Sequence, residues 1–590
     1  MRFFIILLFF TSFGFAQTNR YEVSFENATH HEASINATFP NISEDTLILR
    51  MSRTSPGRYA LHEFVKNVYG VKVTNSRGES VEVSRPDPYS WAVTGHDGTV
   101  NVDYILFGNR ADGTYTQIDE THAHLNIPAT FMYAENLKQR PVEVNFNIES
   151  HPDWKVATQL KPIDKTTFFA PHFYYFMDSP VEISDYDMRE FEMDGQTIRF
   201  VLHHPGTDEE FDEYFEKVKK IVAQQKAVFG ELPEFDFGEY TFLADYMPNV
   251  SGDGMEHRNS TVLTDITSLG EGGMEENIGT VSHEFFHAWN VERIRPESLE
   301  PFNFTEANMS GALWFAEGFT SYYTNLILAR AGIISPQQYV KSLNGTFNYV
   351  WNSPGLQYFN PIEMSYQAPF VDAATSVDPV NRENTFISYY SYGSMLGLAL
   401  DLKLHQKGLN LDDFMKLMWQ KYGKTEEPYS ISDLEQTLAA YAGQDFSEDF
   451  FDNYIYNSDM PNYEELFSSV GLELKRASKN AFFGASLRDT SEGVVINRNV
   501  SQNTPAYEAG LNEGDRIISV DGVELEDEMQ FQKLLEAKSS GDQLQLKIER
   551  YGNEIQKTVT LGSNPQYTIQ INEDAGKKAK QERQKWLSAK

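Results

Sequence analysis

The chain has 590 residues, a formal net charge of -36 and no cysteine, with 41% hydrophobic and 14% aromatic residues. Its length exceeds what one hydrophobic core serves, so about two to four domains are expected. The acidic balance excludes nucleic acid and anionic lipid as partners, because both need a positive field; the lack of cysteine excludes disulfides, thiolate metal sites and a cysteine nucleophile.

Residues 1–16, MRFFIILLFFTSFGFA, carry one positive charge, a short apolar run and small Gly14 and Ala16 ahead of Gln17. This is the pattern of a secretory signal peptide. The run is too short to cross a bilayer as a helix, and no later segment approaches 18 uninterrupted apolar residues. The mature chain is therefore expected to be soluble, without a membrane span, and periplasmic or secreted.

From 17 to 200 the sequence runs in short alternating stretches, YEVSFENA, HEASINATF, DTLILRM, SVEVSR, TVNVDYILFG and VEVNFNIES, divided by Gly, Pro, Asn and Asp. Period-two alternation bounded by turn residues predicts an antiparallel β domain, with HPDWKVATQLKP and DSPVEI as its closing loops. Residues 201–465 change texture. EEFDEYFEKVKKIVAQQKAVFG has apolar residues at helical spacing and stops at Gly230, FDFGEYTFLADYM reads as a strand, and helical patterns dominate beyond residue 275. Strand-like texture returns over 470–565. The tail, 566–590, is charged and expected to fray. The fold class is thus multi-domain α+β.

Within TVSHEFFHAWNVERIRP, His283 and His287 are four apart with Glu284 between them, in an otherwise apolar stretch. On a helix, positions i and i+4 share one face, so both imidazoles reach a single metal while Glu284 stands beside it as a base. A catalytic zinc needs a third protein ligand and an open position. With cysteine absent, Glu317 in LWFAEGFTSYY is the best candidate, since a carboxylate in so apolar a helix is costly to bury unpaired. Glu284 can then take a proton from an activated water and pass it to a leaving amine. In ISYYSYGSML, a tyrosine hydroxyl can donate to a developing oxyanion.

HEFFHAWN followed by RIRP, LWFAEGFTSYY, GMEHRNS, DSPVEI and the C-terminal AGLNEGDRIISVDG together resemble the glycyl aminopeptidase family of exported bacterial gluzincins, over nearly the whole mature chain. The resemblance implies an N-terminal β domain, a thermolysin-like catalytic domain and a PDZ domain. It implies one zinc per chain on His283, His287 and Glu317, with Glu284 as base. It places Gly254, Met255, Glu256 and His257 at the substrate, Glu256 binding the free amino terminus, and makes Tyr390, three residues before Gly393, the transition-state donor. Where the family usually has lysine in that motif, this chain has Tyr392. Phe482, Phe483, Gly484 and Ala485 stand where a PDZ carboxylate-binding loop is expected, to take a peptide C-terminus by strand addition. The implied activity is removal of N-terminal residues, Gly or Ala by the family name, from peptides. An endopeptidase, or a silent peptide-binding protein working through its PDZ domain, are the alternatives.

Overall fold

The computed structural model describes residues 17–373 and 378–590; the expected signal peptide lies outside the described residues. Strand Asn19–Asn27 alternates as its sequence predicts, with Tyr21, Val23 and Phe25 turned inward. It lies in a seven-stranded sheet between Glu32–Phe39 and Val142–Asn147, and its pairing with the latter is parallel, an exception in a region of antiparallel ladders. A second sheet is built on Thr46–Arg50 and Ser90–Thr94. A third runs in the order Lys155–Thr158, Val181–Ser184, His122–Leu125, Gln117–Ile118.

That third sheet corrects an expectation. HPDWKVATQLKP and DSPVEI are not closing loops but contribute strands, with Val156 opposite Ile183 and Ile183 opposite Ala123. Val181–Ser184 and His122–Leu125 are buried at every position, so neither shows the alternation that marks a half-exposed strand.

The next sheet runs Asp187–Met193, Gln196–His203, Glu239–Tyr246, Ser260–Asp265, Asp253–His257, which makes Asp253–His257 an edge strand. The division expected at residue 200 falls inside Gln196–His203, whose neighbours on both sides belong to this sheet. Helix Asp208–Phe229 starts at a reciprocal Thr207–Glu210 cap and ends at Gly230 with φ 91°, a left-handed stop that favours glycine. It packs on the sheet with Ile278–Phe286, where Phe285 sets its ring against Tyr240 and Phe242. Helices Leu313–Arg330 and Tyr389–Gln406 approach so closely that a Cβ at Gly318 would overlap the backbone of Gly393, and one at Gly393 the carbonyl of Trp314. Only glycine at both positions permits this contact.

Toward the C-terminus, an antiparallel domain is built around Arg516–Val520 and Gln543–Arg550, with its own core of Val494, Ile517, Phe531 and Leu546. The tail does not fray as expected. Tyr567–Ile571 returns to pair with Leu472–Arg476, and helix Lys577–Leu587 docks on the catalytic region. Trp586 is fully buried and its indole N–H donates to Tyr322 Oη at 2.9 Å, while Arg330 donates to the Trp586 carbonyl at 3.1 Å. One large aromatic side chain outweighs a charged surface here, since burying it contributes on the order of 3 kcal/mol. Among the described residues no helix is long and apolar enough to cross a membrane.

Candidate metal centre

His283 lies on helix Ile278–Phe286, and His287 follows it with helical angles, φ -65° and ψ -18°, so the two rings keep the i, i+4 relation. Glu317 projects from Leu313–Arg330, which packs alongside. Nε2 of His287 is 3.2 Å from Nε2 of His283 and 3.2 Å from Oε2 of Glu317, and the remaining edge of the triangle, His283 Nε2 to Glu317 Oε2, is 3.8 Å. A tetrahedral zinc with ligand distances of about 2.0–2.1 Å separates its ligands by roughly 3.3 Å. The triangle fits.

The hydrogen bonds behind these atoms fix which face carries the lone pairs. His287 Nδ1 faces the Asn290 carbonyl at 2.7 Å, so it must donate there. His283 Nδ1 faces Thr324 Oγ1 at 3.1 Å, and that hydroxyl spends its own proton on the Thr320 carbonyl, so His283 Nδ1 donates too. Tyr59 Oη donates to Glu317 Oε1 at 2.6 Å. In their neutral forms, both Nε2 atoms and Glu317 Oε2 are therefore acceptors converging on one point. Three acceptors at that spacing repel unless a cation sits among them. Burial alone would lower the His287 pKa, but the carboxylates of Glu317 and Glu256 outweigh it and push it up to about 10. The point draws positive charge.

Two further carboxylates face the same place. Glu284 and Glu256 are each 5% exposed, and an acceptor atom of each lies within 4.8 Å of His287 and of the other. Oε2 of Glu284 and Oε1 of Glu256 have no hydrogen-bond partner in the protein. Burial raises the pKa of both, with Glu317 adding to the rise and His287 opposing it. Gly254 leaves the room for this: a Cβ there would overlap the Glu284 carboxylate. On the edge strand Asp253–His257, alternation turns Glu256 toward the metal triangle and its neighbours away. Met255 packs instead against Gly57 and Gly113 of the β region. His257, expected at the substrate, has Nδ1 2.9 Å from Asp178 Oδ1, and Asp178 also accepts from Arg258 N. That pairing ties DSPVEI to GMEHR.

Tyr390, at the start of Tyr389–Gln406, has its ring 6.0 Å from that of His283. The close approach at Gly318 and Gly393 places it there, since Gly318 follows Glu317 directly and Gly393 lies one turn after Tyr390. Tyr392 is buried in the core, away from the centre. Sequence reasoning missed Tyr59, Thr324 and Asn290. Thr324 carried a signal, two helical turns after Glu317 and so on the same face. Asn290 holds the turn by donating to the Ala316 carbonyl at 2.9 Å and to Thr320 Oγ1 at 3.1 Å. Val291 beyond it has φ 108°, a strained angle for a β-branched residue at a functional turn. Tyr59 comes from a loop of the β region, and no local pattern points to it.

In the C-terminal domain, Phe483 is buried and sets its ring 4.9 Å from Phe531, so it belongs to that core. Phe482, Gly484 and Ala485 line a cleft of about 640 Å³ shared with Arg498 and with Arg382 of the helical region.

Three segments match family models: residues 20–185 the peptidase M61 N-terminal domain, 276–396 the M61 glycyl aminopeptidase, and 481–561 a PDZ domain. Among solved structures, an aminopeptidase N family protein from Idiomarina loihiensis is similar at 25% identity and TM-score 0.85, over 97% of this chain and 100% of that one. An M1 zinc metallopeptidase from Deinococcus radiodurans is similar at 13% identity and TM-score 0.43, over 76% of this chain and 95% of that one. No curated protein matches.

Proposed function

We propose that this chain, a zinc aminopeptidase of the M61 glycyl aminopeptidase family, removes single residues from the free amino ends of peptides with one zinc held by His283, His287 and Glu317. The observation that carries the exopeptidase reading is Glu256, a buried carboxylate with an unpaired oxygen beside the metal triangle. An ammonium group is the partner it lacks, and a peptide anchored there by its amino terminus presents its first peptide bond to the triangle.

When bound, zinc supplies Lewis acidity, polarising a carbonyl and acidifying water. Glu284 takes the proton of the attacking water and passes it to the leaving amine, a task suited by the raised pKa that burial gives it. Tyr390 donates a hydrogen bond to the oxyanion that develops on the substrate. Tyr59 holds Glu317 in one orientation, so substrate binding does not have to order it. The edge strand Asp253–His257 offers backbone groups to an extended peptide.

A preference for Gly or Ala, a single zinc at the catalytic centre and export behind a signal peptide cleaved after Ala16 complete the proposal. The PDZ domain binds peptide ends at the cleft beside Gly484, where Arg382 and Arg498 attract a carboxylate. The test compares one Ala-containing peptide with a free and an acetylated amino terminus. Turnover confined to the free form is expected; equal turnover overturns the amine anchor in favour of an endopeptidase.

A further inference from the structure

Where the third sheet of the β region meets the sheet of the catalytic region, the strands His122–Leu125, Val181–Ser184, Gln196–His203 and Glu239–Tyr246 bury a second group of histidines and carboxylates: His122, Glu182, His203 and Asp245. Ala157, Tyr186, Val201 and Leu243 form a small apolar cluster shared by the same two sheets. His122 and Glu182 are both 0% exposed, yet neither ring nitrogen of His122 and neither oxygen of Glu182 has a hydrogen-bond partner. Buried polar atoms are rarely left so.

The four donor atoms lie within 4.8 Å of one another. His122 Nδ1 is 3.4 Å from Asp245 Oδ1 and 3.6 Å from Glu182 Oε1; His203 Nδ1 is 3.1 Å from Asp245 Oδ1 and 4.0 Å from Glu182 Oε1. A tetrahedron with arms of about 2.0–2.2 Å has edges of about 3.3–3.6 Å. A buried imidazolium bonded directly to a carboxylate sits closer, at about 2.7–2.9 Å. The two His122 edges fall in the range of a metal tetrahedron, while His203 Nδ1 and Asp245 Oδ1, at 3.1 Å, are within hydrogen-bonding reach of one another.

Two further side chains stand behind the four. Asp119 has Oδ2 3.5 Å from His122 Nε2. His124 Nδ1 is 3.0 Å from Asp245 Oδ2 and 3.5 Å from Glu182 Oε2, and its Nε2 faces the Asp112 carbonyl at 2.9 Å.

We propose that His122, Glu182, His203 and Asp245 form a second divalent-metal site, of the zinc type, that clamps the β region onto the catalytic sheet. Two nitrogens and two oxygens at tetrahedral spacing suit zinc. The protein fills all four positions, so the ion does no chemistry and contributes to folding. His124 and Asp119 orient Asp245 and His122 from behind, as outer partners of metal ligands do. Entry runs along a surface cleft of about 500 Å³ that His203 borders with His204 and Asp185.

The test is a zinc titration of the metal-stripped full chain, counting equivalents retained after gel filtration. Two equivalents are expected for the unaltered protein and one for Glu317→Ala. Glu182→Gln and His203→Asn are each expected to retain one equivalent and the peptidase activity. Zinc added to stripped Glu317→Ala should raise its melting temperature, and adding Glu182→Gln to that variant should abolish the rise. A single equivalent in the unaltered protein with none in Glu317→Ala overturns the proposal, whether or not the Glu182 variant folds; so does a second equivalent that Glu182→Gln and His203→Asn both leave in place.

Discussion

Two clusters of histidine and carboxylate lie in the same chain, and they differ in how many donors the protein commits. At His283, His287 and Glu317 three atoms converge, with Glu284 and Glu256 beside them carrying unpaired oxygens. At His122, Glu182, His203 and Asp245 four atoms converge, with His124 behind the two carboxylates and Asp119 behind His122. A site that keeps a position open can do chemistry, whereas one that closes its coordination sphere can only hold the fold together. Burial and residue type are nearly the same in both; the number of donors and the presence of spare carboxylates separate a reactive centre from a clamp.

The sharpest way to break this contrast is Glu317→Ala. It should strip zinc from the open site and abolish peptide hydrolysis, while the chain stays folded and, on the proposal above, keeps the clamp ion; metal analysis with circular dichroism reads both. Next, Glu284→Gln should keep full zinc content and lower kcat/KM by about 10³-fold, the range of a general base. Loss of metal in this variant would make Glu284 a ligand. Glu256→Gln should reduce kcat/KM on free-amino peptides by about 10²-fold, as expected for one partner of a buried charge pair, and leave zinc in place. Tyr59→Phe removes only the hydroxyl behind Glu317 and should cost about tenfold in zinc affinity or turnover, measured by competition with a chelator.

A separate effect appears in acid. His62, in the stretch that carries Tyr59, is held down to about 4 by burial and then by the Arg58 charge. Below its ordinary value of 6.5 the unfolded chain takes up a proton that the folded chain refuses until about 4. Stability is therefore fully present above pH 6.5 and lost as pH falls through that window, by at most about 3 kcal/mol. His62→Gln should flatten the thermal-unfolding profile over that range.

The two clusters also differ in how far the sequence reveals them. His283, Glu284 and His287 sit within one helical turn, so their spacing alone expresses their geometry, and Glu317 stands out as an acid in an apolar helix. The second cluster draws one residue from each of four strands scattered between 122 and 245. Register and sheet packing bring them together, and neither is written in any local window. Tyr59 is hidden for the same reason, 258 positions from the carboxylate it holds. The alternating strands of the β region and the amphipathic helix Asp208–Phe229 were legible because one face of each is exposed. Lys155–Thr158 and Val181–Ser184 were too short, or too evenly buried, to show a period. Helix Lys577–Leu587 was misjudged because its charges mask the one tryptophan that docks it. His257 was assigned to the substrate through its motif, but strand alternation turns it toward Asp178.

The most direct measurement is anomalous diffraction at the zinc edge from crystals of the zinc-loaded chain. A peak within about 2.0–2.2 Å of His283 Nε2, His287 Nε2 and a Glu317 oxygen is predicted, with the Glu284 carboxylate beside it and outside bonding distance. No peak among those three side chains, or one bonded to Glu284 in place of Glu317, would contradict the account.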